Sequence, residues 1–135
     1  MPPELITEDD VRKVVVQRLN YWKEIGVVLN WERINCGRVR TQYGHYFYGA
    51  KDGFPDYFAE VINGKVIHIC YFETKRPVGG RWSDEQILFK AAHEGFDNVS
   101  YDLVDNPLIV ENRIELITKW HVKKFEEMDK HMGAL

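Results

Sequence analysis

Four residues in the middle of the chain carry side chains that could act together: Asp56, Glu73, Lys75 and, on the element that follows, Gln86. Two neighbouring carboxylates can close on a hard divalent cation, and a lysine beside them can hold an anion. Whether they meet depends on the turn between them. Asn63-Gly64 is a strong hairpin signal, because both central residues of a type I′ turn need positive φ. With that pair as the loop, Ile62 faces Lys65, Asp56 faces Tyr71 and Phe54 faces Glu73. Facing residues share a sheet face, and so do i and i+2. Asp56, Glu73 and Lys75 are therefore expected on one face at one end of the hairpin. Asp56 and Glu73 would be diagonal neighbours, with Cβ atoms about 7–8 Å apart. A slip of one residue would send them to opposite faces.

The elements that must position these groups follow from the sequence pattern. Thr7 reads as the N-cap of a helix over residues 8–25, with Glu8, Asp9 and Asp10 at the positive end of its dipole. Val11, Val14, Val15, Leu19, Trp22 and Ile25 supply its apolar stripe, and Gly26 stops it. Residues 27–34 read as a first strand. Residues 35–52 are Gly-interrupted and Tyr-rich, and are expected as an extension of that strand and a mobile loop. Their aromatics suit either stacking on nucleic-acid bases or a small apolar cluster. The hairpin spans residues 56–62 and 65–75. It is mostly apolar on both faces, so cover is expected on both. Ser83-Asp84-Glu85-Gln86 is a capping box for a second helix, packed through Ile87, Leu88, Ala91 and Ala92 and ended by Gly95. Val99–Val104 reads as a fourth strand, closed by Asp105-Asn106-Pro107. A long helix over about residues 111–132 completes the chain. The order is α-β-β-β-α-β around a mixed sheet in one domain, with a core over about 8–104 and a C-terminal helical extension.

Bulk properties narrow the function classes. A chain of 135 residues is one domain in size, and 44% hydrophobic with 29% charged residues marks it as globular. No apolar run approaches the roughly 20 residues of a membrane helix, and the acidic start is no signal peptide. Two cysteines, Cys36 and Cys70, fit small buried side chains in a reducing compartment, so a cytoplasmic location is expected. The net charge of −3 does not advertise nucleic-acid binding. Its distribution says more. Arg33, Arg38, Arg40 and Lys51 lie in a stretch without an acid, and so do Lys75, Arg76 and Arg81. A positive rim around carboxylates suits a phosphate-backbone substrate.

Taken together, Gly53-x-Pro55-Asp56, a turn, Glu73-Thr74-Lys75 and a helix carrying Gln86 resemble the PD-(D/E)XK nucleases. The closer likeness is to their VRR-NUC branch of small phage and bacterial enzymes. Glu8 resembles the family's acid on the first helix. Arg33-Ile34-Asn35-Cys36-Gly37 is similar to its R-x-N-x-G segment, and Gly79-Gly80-Arg81-Trp82-Ser83 before Gln86 is similar to its G-R-x-S-x-x-Q stretch. The likeness covers roughly residues 8–104. It implies a restriction-endonuclease-like fold and Mg²⁺-dependent hydrolysis of DNA phosphodiester bonds, with Mn²⁺ able to substitute, in a bacterial or phage-infected cell. Asp56, Glu73 and the Thr74 carbonyl would hold the ion, with Glu8 as an outer ligand or the holder of a water. Lys75 would place the water or stabilise charge growing on the phosphate, and Gln86 would orient the site. Arg33, Arg38, Arg40, Arg76 and Arg81 would carry DNA. The likeness further suggests a homodimer selective for branched DNA such as four-way junctions. A duplex endonuclease or nickase with sequence preference stands as the alternative, as does a non-cutting DNA-binding module of the same fold.

Overall fold

A computed structural model describes residues 2–34 and 38–119. Of residue 4 and of the strands Arg38–Arg40 and Tyr46–Tyr48, only the backbone is described. Asn35, Cys36, Gly37 and residues 120–135 lie outside, and with them most of the C-terminal extension.

After a short 3-10 turn, α1 (Glu8–Glu24) leads into β1 (Val28–Arg33), β2 (Arg38–Arg40), β3 (Tyr46–Tyr48), β4 (Tyr57–Asn63) and β5 (Val66–Thr74). Then come α2 (Asp84–His93), β6 (Val99–Val104) and α3 (Leu108–Thr118). The protein is α/β, with one four-stranded mixed sheet in the order β1-β4-β5-β6. The first two pairings are antiparallel, and β5–β6 is parallel across the α2 crossover. The stretch expected as loop between β1 and β4 folds instead as a second, two-stranded sheet, β2–β3. Its Tyr-Phe-Tyr run is ordinary strand chemistry that the surrounding glycines obscure.

α1 begins as its sequence requires. The Asp10 amide donates to Thr7 Oγ1 at 3.2 Å, and the Thr7 amide donates back to Asp10 Oδ2 at 2.9 Å. The helix buries Val11, Val15, Leu19 and Trp22 against the sheet face carrying Tyr57, Ala59, Val61, Cys70 and Phe72. Each such side chain contributes about 1.5–3 kcal/mol of apolar burial. α3 adds Val110, Ile114 and Ile117 to the same core. The last helix thus starts earlier than the sequence pattern suggests. Its described part ends at Thr118, with Lys119 left-handed at φ 53°, and the rest of the helix expected over residues 111–132 lies outside the described residues.

The opposite sheet face is covered differently. α2 does not pack through Ile87 and Leu88, which are 52% and 70% exposed. It turns Phe89 and His93 inward, one helical turn apart. Phe89 stacks on His93 at 4.0 Å and meets Tyr71, Tyr101 and Phe54 at 5.2, 5.6 and 4.8 Å. The aromatic surface of the sheet selects the aromatic side of the helix. This cover sits at the site end of the hairpin. At the turn end Ile62, Val66 and Ile67 are exposed.

Candidate functional site

The hairpin register differs from the expected one in an instructive way. Asn63 pairs with Val66 and Tyr57 with Phe72, so the two-residue loop is Gly64-Lys65 rather than Asn63-Gly64. Gly64 has φ 62° while Lys65 has none above zero, so the glycine sits at the first central position of a II′-type loop. The change moves the pairing by two residues. Two is the side-chain period, so every residue keeps its face. Extending the ladder one step sets Asp56 directly opposite Glu73, closer than the diagonal placement, with Cβ atoms about 4.5–5.5 Å apart.

Around this pair three elements converge: the start of α1, the entry to β4 and the end of β5. The Thr74 amide donates to Asp56 Oδ2 at 2.9 Å, and its hydroxyl donates to the same oxygen at 2.5 Å. That hydroxyl also lies 3.5 Å from Glu8 Oε1. Lys75 Nζ stands 3.6 Å from Glu73 Oε1. Glu73 is only 4% exposed, and its Oε2 is buried without a hydrogen-bond partner among the described residues. Burial pushes its carboxyl up to about 8, Asp56 adds to the push, and Lys75 opposes it.

The local sequence explains this geometry. Pro55 is buried at the mouth of β4. In a regular ladder residue 55 would donate its amide to the Thr74 carbonyl, and proline has no amide to give. Thr74's own amide is satisfied by the Asp56 side chain instead of by a β4 carbonyl. Gly53 has φ 97°, and a Cβ there would lie 2.6 Å from the Glu85 carbonyl oxygen. Only glycine lets the first turn of α2 close over the β4 entry.

Asp56, Glu73, Thr74, Lys75 and Glu8 are thus brought together. Gln86 is engaged in the helix cap: its Oε1 accepts from the Ser83 amide at 2.9 Å, which commits that oxygen and leaves the amide NH2 group as the remaining donor. Arg76 and Arg81 line a cleft of about 500 Å³ with Glu8 and Lys75. Arg33 lines a second hollow of about 420 Å³ with Arg12, Lys13 and Tyr57. The side chains of Arg38 and Arg40 lie outside the described residues.

One functional group escaped sequence reasoning. Arg12 donates to Glu8 Oε1 at 2.9 Å and to Asp9 Oδ1 at 3.3 Å, and its Nη2 lies 3.8 Å from Asp56 Oδ1. Burial opposes its charge, but Asp56 and Glu8 outweigh that and raise its pKa. The available signal was its spacing of i+4 and i+3 from Glu8 and Asp9.

The donor set tests whether a divalent ion fits. Among the described residues no three His, Cys, Asp or Glu side chains form a ready metal cage. Two facing carboxylates do suit Mg²⁺, which takes one or two carboxylates and keeps several waters. The unpartnered Glu73 oxygen opposite a second carboxylate is where positive charge is short. No family model, curated protein or solved structure gives a match to the chain.

Proposed function

We propose that the protein is a metal-dependent endonuclease hydrolysing DNA phosphodiester bonds on a restriction-endonuclease-like fold. The observation that carries this reading is Glu73: buried, facing Asp56, with one carboxylate oxygen unpartnered and a lysine at 3.6 Å. A buried carboxylate opposite another is costly unless a cation joins them. When bound, Mg²⁺ or Mn²⁺ would supply that charge, withdraw electrons from a phosphate and acidify a water. Asp56 and Glu73 would hold it, with the Thr74 carbonyl as the further oxygen that Pro55 leaves unclaimed in the ladder. Asp56 is fixed for that role by the Thr74 amide and hydroxyl. Lys75 is placed to stabilise charge on an incoming phosphate. Arg76 and Arg81 on one flank and Arg33 on the other offer phosphate contacts on both sides of the carboxylates.

A homodimer acting on a four-way junction is the form we favour, because resolution needs two cuts and a two-fold dimer supplies two sites. The test is cleavage of a matched panel in Mn²⁺: four-way junction, flap, single strand and plain duplex. The junction is expected to be cut fastest, in paired nicks. Equal cutting of junction and duplex would replace it with the duplex endonuclease, and no cutting of any substrate would sink the enzyme reading. No described helix is long and apolar enough to cross a membrane.

A further inference from the structure

Arg12 has more partners than a helix-surface arginine needs. Its pairs with Glu8 and Asp9 are the ordinary i+4 and i+3 contacts of one helix, each worth a few tenths of a kcal/mol. Asp56 is different, because it comes from β4 and stands at the centre of the candidate site. The Arg12 side chain is 27% exposed, and its Nε is buried with no partner among the described residues. A guanidinium is desolvated this way only where surrounding carboxylates compensate it.

The oxygens of the site divide accordingly. Asp56 Oδ2 is taken by Thr74, and Asp56 Oδ1 faces Arg12. Glu8 Oε1 is taken by Arg12, and Glu73 Oε1 faces Lys75. Glu73 Oε2 remains. Glu8, Asp9 and Asp56 surround the Arg12 guanidinium, and Lys75 stands beside Glu73. A second ion would need the place on Glu8 and Asp56 that the guanidinium occupies.

We propose that Arg12 is the resident cation of this site, standing where a second metal ion would bind and limiting the chain to one divalent ion. The inference rests on the nuclease reading and deepens it. Arg12 acts through Glu8 and Asp56, so it is a positioning residue. It fixes those two carboxylates and leaves Glu73 as the open ligand.

The test is metal stoichiometry, measured by isothermal titration of the purified full-length chain with Mn²⁺ in the absence of DNA. Wild type is expected to bind one ion per chain. Arg12→Gln is expected to bind two, and Arg12→Gln combined with Glu8→Gln one again. Arg12→Met also removes the charge while keeping most of the apolar stem and is expected to bind two, which holds the test open if the glutamine variant folds poorly; Arg12→Lys keeps the charge and is expected to stay at one. Two ions on wild type would overturn the proposal outright. One ion on wild type and one on a folded Arg12→Gln would overturn the role of Arg12 while leaving the nuclease reading standing. No ion on wild type would overturn both.

Discussion

Two groups of carboxylates sit in this molecule under different rules. Asp102 on β6 receives Arg113 Nε at 2.7 Å and Nη2 at 2.9 Å. Glu111 on α3 receives the Arg18 guanidinium through both oxygens and the Trp22 indole at 2.9 Å. Each is bidentate with an arginine, which is how a partly buried acid is held when its task is to join elements. Glu73 is more deeply buried than either, yet it faces another acid, has its lysine at 3.6 Å and leaves one oxygen unpartnered. The strands can satisfy acids and do so elsewhere. The shortfall at Glu73 is local, and the cation proposed above would offset it.

The largest effect expected from this contrast is at Glu73. Glu73→Gln removes the charge and keeps the shape. Cleavage should fall by at least about a thousandfold, the scale of losing a group that stabilises charge in the transition state. The metal-free protein should melt at a higher temperature than wild type near neutral pH, because folding no longer has to bind the proton that burial forces on Glu73. Lower stability together with intact cleavage would make Glu73 a structural acid like Asp102.

The same carboxyl sets a pH dependence. Its folded value of about 8 lies above the ordinary 4.5, so the folded state holds a proton that the unfolded state has released. Stability of the metal-free chain should therefore be fullest below about pH 4.5 as far as this group is concerned, and should fall as pH rises towards 8. Each tenfold difference in proton affinity is worth about 1.4 kcal/mol. Melting curves in chelator across this range should show the slope in wild type and a flatter one in Glu73→Gln. Equal slopes in the two proteins would remove the buried charge from the account.

Asp102→Ala tests the other side. It strands Arg113 without a carboxylate and should cost about 1–3 kcal/mol of stability. Cleavage per folded molecule should be unchanged. A loss of turnover in protein that is still folded would show that the two groups of acids are not separate.

How far the site was legible depends on which physical rule each part obeys. Strand parity is robust, so Asp56, Glu73 and Lys75 share a face although the loop lies one residue later than Asn63-Gly64 predicts. One glycine suffices for a II′ loop, so Gly64-Lys65 turns the chain where a I′ loop would need Asn63-Gly64. Helix capping is local, and Thr7–Asp10 and Ser83–Gln86 both form as written. The face of α2 was misread because it depends on what the sheet presents. The aromatic rings of Tyr71 and Tyr101 draw Phe89 and His93 inward and leave Ile87 and Leu88 outside. Arg12 was overlooked because its nearest partners are helical neighbours, and its contact with Asp56 exists only once α1 is docked on the sheet.

Gln86 gives the smallest effect and the finest comparison with Glu73. The family likeness makes it a site residue, whereas its amide oxygen caps α2 through the Ser83 amide. A single side-chain oxygen cannot be fully committed to a cap and also orient a reacting group. If the cap is its task, Gln86→Ala should cost about 0.5–1 kcal/mol, the usual scale of a lost capping contact. Cleavage should then drop less than tenfold. Gln86→Glu should keep the cap, since a carboxylate accepts the same bond and favours the helix N-terminus. Wild-type stability in the glutamate variant together with a hundredfold loss of cleavage would show that Gln86 leaves its cap when DNA binds and joins Glu73 at the site end of the hairpin.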